Sequence, residues 1–210
     1  MVDSFGAILE SLTNPEQDKP QLRILDSGFL SVRIDDILRA VAESRNLEFA
    51  KYGKLGTNRD DPLQRMIGYL AEAAVSYAFP RLSWSDELHS DLVLEAPDGS
   101  LTYDVKSGGI NVSPQPPYHA TLYEEYACKP VDYYVFCRTA RDQSRVWICG
   151  VISRSDFLAT AAFRPVGYES QNFVYDCARY ELSFDRMTSP SLVYPMMQIA
   201  SPSDRATLRA

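Results

Sequence analysis

The sequence predicts an α/β or α+β fold, with a mixed central β-sheet flanked by helices. Three observations predict it. Asp91 to Lys106 holds two short apolar–polar runs around Pro97-Asp98-Gly99, a hairpin signal. Val131 to Arg138 and Arg145 to Ile152 are β-branched, aromatic and nearly continuous in apolar character, as central strands covered on both faces are. Pro62 to Phe79 carries apolar residues at helical spacing.

In chain order, the first sixty residues read as helical and acidic. Ser4 to Leu12 reads as a short helix, and Asn14 to Pro20 as a polar, Pro-bounded loop. In the segment Ile34 to Arg45, residues Ile34, Ile37, Leu38 and Val41 recur at helical spacing. Lys51 to Arg59 is a basic, Gly-containing loop, either a solvated connection or a phosphate contact through Lys54 and Arg59; it lacks the GxxxxGK[ST] pattern. Asp60 or Asp61 caps the next helix, and Pro62 suits its first turn. Leu63, Met66, Ile67, Leu70, Ala74 and Ala78 make its buried stripe, and Pro80 ends it. Gly68 and Glu72 lie four apart on one face, where Gly68 is expected to permit close backbone approach.

After the hairpin, Ser107 to Pro117 reads as a breaker-rich loop and His119 to Cys128 as a short helix. Ser153 caps another short helix. A strand is expected at Arg179 to Ser183, and the apolar Leu192 to Ile199 closes the pattern. The expected organisation is one structural unit, with residues 1–60 a helical extension packed on a 61–210 core.

With 21 Lys and Arg against 28 Asp and Glu, the net charge is −7. That argues against coating nucleic acid by bulk charge, while leaving room for an enzyme whose carboxylates bind metal. The four cysteines show no CxxC pairing, and buried free thiols are expected. The N-terminus lacks a signal-peptide pattern and no apolar run reaches spanning length, so a cytoplasmic protein without membrane contact is expected.

The chemistry concentrates in the hairpin. Alternate residues of a strand share a face, so Asp104 and Lys106 point the same way, and Asp91 sits near the start of the partner strand. Two carboxylates and an amine then converge at one end of a sheet. Oxygen ligands of this kind suit Mg²⁺, with Mn²⁺ as a substitute, and the set suits a phosphodiester. Asp91, Asp104, the Val105 carbonyl and Glu72 are the candidate metal ligands. The Lys106 ammonium would orient water or stabilise developing phosphorane charge. The bland alternative is a solvated strand face with a salt bridge from Lys106 to Asp91 or Glu95. His89 and His119 read as proton carriers or as surface residues. Arg138, Arg141 and Arg145, around the turn between the two apolar strands, read as phosphate contacts or as a solvated turn.

Helix acid, strand acid, then Asp-x-Lys on the next strand resembles the PD-(D/E)xK nucleases, which share a restriction-endonuclease-like core. The resemblance covers Pro62 to Ile152. It sets Glu72 at the helix acid, Asp91 at the first strand acid and Asp104-Val105-Lys106 at the triplet. Ser90 stands where the pattern has proline. The resemblance implies metal-dependent endonucleolytic hydrolysis of DNA, double-stranded by expectation, in a phage, homing or restriction setting and with a homodimer where both strands are cut. The alternative is a catalytically silent protein of that fold that binds nucleic acid or a protein partner.

Overall fold

The computed structural model describes residues 21–51, 61–86, 89–96, 99–170 and 174–198. The fold is mixed α and β. Its strands are β1 (Leu22–Ile24), β2 (Leu30–Arg33), β3 (Ser83–Trp84), β4 (Leu92–Ala96), β5 (Gly99–Ile110), β6 (His119–Tyr123), β7 (Tyr133–Ala140), β8 (Arg145–Ser153), β9 (Ala162–Arg164) and β10 (Arg179–Ser183). Its helices among the described residues are α1 (Asp36–Lys51), α2 (Pro62–Ala78), α3 (Glu124–Ala127), α4 (Arg154–Thr160) and α5 (Pro190–Gln198). A seven-stranded sheet runs β1-β2-β8-β7-β5-β4-β3, and a three-stranded sheet runs β6-β10-β9. Only β5 and β7 pair parallel; the other described pairs are antiparallel.

Period-two alternation splits the large sheet's side chains between two cores. Val135, Cys137, Val146 and Ile148 join Leu70, Ala74 and Val75 of α2 on one face. Tyr134, Phe136, Trp147 and Cys149 join Phe157 of α4 and Leu122 and Leu182 of the small sheet on the other. Burial on both faces explains why β7 and β8 read as unbroken apolar runs. At roughly 25 cal/mol per Å² of buried apolar surface, these two layers are the main source of stability.

The Asp61 carboxylate accepts the Leu63 N–H at 2.9 Å and caps α2, with Pro62 in its first turn. The helix packs along β5 and against α1. A Cβ built at Gly68 meets nothing within 4 Å, so the close approach expected there is absent.

Three other expectations change. The N-terminal region is not helical throughout: β1 and β2 form a hairpin, and β2 adds to β8. Ser107 to Ile110 continues β5 because β7 pairs alongside it. His119 to Tyr123 is a strand, held by β10, and only Glu124 to Ala127 is helical. The apolar C-terminal segment, to which the sequence assigned no element type, forms α5 with Pro195 inside it. The expected Ser4–Leu12 helix and Asn14–Pro20 loop lie outside the described residues, as do Lys54 and Arg59.

The β1–β2 turn depends on Gly28. Its φ is +80°, and an added Cβ would lie 2.4 Å from the Ser189 hydroxyl oxygen. That hydroxyl donates to the Gly28 carbonyl at 2.9 Å, tying the start of α5 to the hairpin. Gly28→Ala combines left-handed strain with a clash, and is expected to cost about 2 to 3 kcal/mol. A lower urea midpoint at unchanged m-value is the expected reading; an unchanged midpoint would mean that the turn relaxes freely.

Candidate active site at the end of the β4–β5 ladder

The β4–β5 ladder pairs Leu92 with Tyr103, and the Asp91 N–H still donates to the Tyr103 carbonyl at 2.9 Å. Beyond that point the chain preceding β4 leaves β5. The Val105 N–H, which points to the vacated side, donates instead to Asp91 Oδ2 at 2.7 Å. In an extended strand a residue's C=O points the same way as its N–H, so the Val105 carbonyl also faces Asp91. Buried Ser90 shares a 2.7 Å hydroxyl contact with buried Ser85 and anchors the chain entering β4.

Tyr103 and Val105 pack toward α2, so Asp104 and Lys106 point to the opposite face. Asp104 is fully buried. Among the described residues, no hydrogen-bond donor of good geometry reaches either carboxylate oxygen. Its charge is met by Lys106 Nζ, 2.5 Å from Oδ2, and by Lys129 Nζ, 3.6 Å from Oδ1. Both ammonium groups also lie over the Tyr126 ring, at 5.0 and 5.5 Å from its centroid.

The electrostatics follow from crowding charge in a dry place. Burial and then the neighbouring Asp104 push the Asp91 carboxyl up to about 7, against the pull of Lys106 and the Val105 N–H. Burial and then Asp91 hold Glu72, on the buried side of α2, well above the usual carboxylate range. Burial alone would lower Lys106, but Asp104 and Asp91 outweigh it and keep the ammonium charged.

Asp91, Asp104, Val105 and Lys106 thus meet at one strand end, with Glu72 within electrostatic reach from α2. Among the described residues, no three His, Cys, Asp or Glu side chains converge closely enough to form a ready-made metal cage. The donor set nevertheless fits Mg²⁺. That ion takes one or two carboxylates and fills its shell with water, and here the Asp91 carboxylate sits on the Val105 amide, on the side that the Val105 carbonyl also faces, with the Asp104 carboxylate next to it in the strand and met by ammonium groups alone.

The arginines do not form one basic patch. Arg138 donates to the His119 carbonyl and stacks on Phe184, in space that Gly108 leaves open. Arg145 donates to the Ser31 hydroxyl at 2.7 Å. Exposed Arg141 lies beside Gly109, on the α2 face. Two of the three therefore make hydrogen bonds within the fold. His89 and His119 are exposed. Sequence reasoning passed over Lys129 and Tyr126; a lysine before Pro130 carries no pattern that marks it.

No family model matches this chain, and no curated protein matches it.

Proposed function

We propose that the chain is a metal-dependent DNA endonuclease of the PD-(D/E)xK type, built on a restriction-endonuclease-like core. The observation that carries the reading is the fully buried Asp104 facing the Lys106 ammonium, with Asp91 fixed alongside by the Val105 N–H. Asp91, Asp104 and the Val105 carbonyl would hold Mg²⁺ or Mn²⁺, with Glu72 behind them. Bound there, the ion supplies a Lewis acid toward a phosphoryl oxygen and offsets the acids' charge.

The remaining work belongs to the chain. One oxygen of Asp91 is engaged by a backbone amide, which fixes the side chain and leaves the other oxygen for a ligand. Lys106 stays protonated and donates toward the phosphoryl oxygen on which charge develops, so its role is electrostatic rather than that of a general base. Its stem is packed and its ammonium preset by Asp104, so little reorganisation accompanies reaction.

A second reading, a silent protein of this fold that binds nucleic acid or a protein, draws on the direct 2.5 Å Lys106–Asp104 pair, which is also what a structural ion pair looks like. Supercoiled and linear DNA, each incubated with Mg²⁺, Mn²⁺ or EDTA, separates the two. Nicking with either metal and none in EDTA is the expected result. DNA binding without cleavage under every condition favours the silent protein.

A further inference from the structure

We propose that Lys129 is a second phosphate-binding cation of this site, acting beside Lys106 on the same phosphodiester; this rests on the nuclease reading above. Asp104 carries one negative charge, and the ammonium of Lys106 at 2.5 Å already meets it. Lys129 stands farther off, 3.6 Å from the other carboxylate oxygen, and is the more loosely held of two ammonium groups that share the field of Asp104 and Asp91. The two ammonium groups share the Tyr126 ring and are each about a quarter exposed or less, so both reach solvent at the rim of a buried anion. Two partly desolvated ammonium groups that reach solvent side by side offer a phosphate oxygen two charge-assisted donors.

The position is built rather than incidental. Arg154 donates from both Nε and Nη2 to the Ala127 carbonyl, at 3.1 and 2.8 Å, clamping the end of α3. The Lys129 N–H then bonds the Tyr126 carbonyl, and the Val131 N–H bonds the Lys129 carbonyl. Pro130 stiffens the same turn. The stem of Lys129 therefore leaves a fixed backbone, pointed at Asp104. Because this contact is made to the bound substrate as much as to the transition state, it positions the phosphate, whereas Lys106 assists the chemistry.

The test uses a short DNA duplex. Its affinity is measured by fluorescence anisotropy in EDTA over a range of salt, and its cleavage with Mg²⁺, for wild type, Lys129→Gln and Lys129→Arg. Lys129→Gln is expected to weaken binding and raise KM about tenfold, with kcat changed much less. The salt slope is expected to fall by about 0.9, the increment for one phosphate contact on duplex DNA, with Lys129→Arg restoring it. If Lys129 only neutralised Asp104, Lys129→Gln would lower the melting temperature and leave slope and KM alone, which overturns the inference. Wild type that binds and cleaves beside an unchanged slope in folded Lys129→Gln sinks this inference while the nuclease stands. Binding with the expected slope change but no cleavage sinks the nuclease reading and keeps Lys129 as a phosphate contact. Absence of any DNA binding by wild type removes both.

Discussion

Lys106→Gln is expected to lower kcat for DNA cleavage by about 10² to 10³, the usual effect of losing one oriented donor at a developing oxyanion. The structure makes this side chain hard to replace. Its ammonium is held charged by two carboxylates and lies 2.5 Å from one of them. Glutamine keeps much of the stem but carries no charge and stops short of the ammonium position. Substrate binding is expected to change less than kcat, because the contact strengthens as phosphoryl charge grows. Stability is the control. Asp104 is left buried with only Lys129 at 3.6 Å, so a clear fall in melting temperature accompanies the loss of activity, and cleavage is compared at a temperature where both proteins are folded. Single-turnover cleavage by folded Lys106→Gln at the wild-type rate would remove Lys106 from the chemistry and leave a structural ion pair.

The parts of this site that local pattern specifies were legible in the sequence. Asp104 and Lys106 share a face because strands alternate, and Asp91 meets β5 because β4 pairs antiparallel with it, Leu92 opposite Tyr103. Asp61 and Pro62 announce α2, and its apolar stripe places Glu72 beside the sheet. What failed were residues whose role is set by distant partners. Gly108 and Gly109 read as breakers, yet β5 runs through them. A Cβ at Gly108 would come 2.7 Å from an Arg138 nitrogen, and one at Gly109 would come 3.0 Å from Ile67 Cδ1. The glycines are there for close packing, and β7 supplies the hydrogen bonds. His119 to Tyr123 reads as helix from its own residues, but its strand partner lies more than fifty positions away in β10. Lys129 reaches Asp104 only because the parallel β5–β7 crossover brings α3 over that strand end. The β1–β2 hairpin is a different failure. Its turn at Gly28, with φ +80°, is a local feature that the helical reading of this region did not take up.

Asp91→Asn is expected to stabilise the metal-free protein while abolishing cleavage, and the gain is expected to depend on pH in a stated direction. The Asp91 carboxyl ionises at about 7 in the fold against 3.8 ordinarily, through burial first and Asp104 second. Between those values the folded protein keeps a proton that the unfolded chain releases, so wild-type stability falls as pH rises through this window and levels off above 7. Asparagine cannot ionise, and its amide oxygen can still accept the Val105 N–H. The variant's advantage is therefore small below pH 4, grows between pH 4 and 7, and reaches at most ~4 kcal/mol above it, at 1.36 kcal/mol per unit. Urea unfolding in EDTA at pH 4, 6 and 8 reads this directly. Added Mg²⁺ is expected to close the gap, since a cation held by Asp91 and Asp104 stabilises only the wild-type fold by mass action. A gap that stays flat with pH would mean that Asp91 is well solvated. The crowded, dry pair of carboxylates from which the site's cation affinity is argued would then not exist.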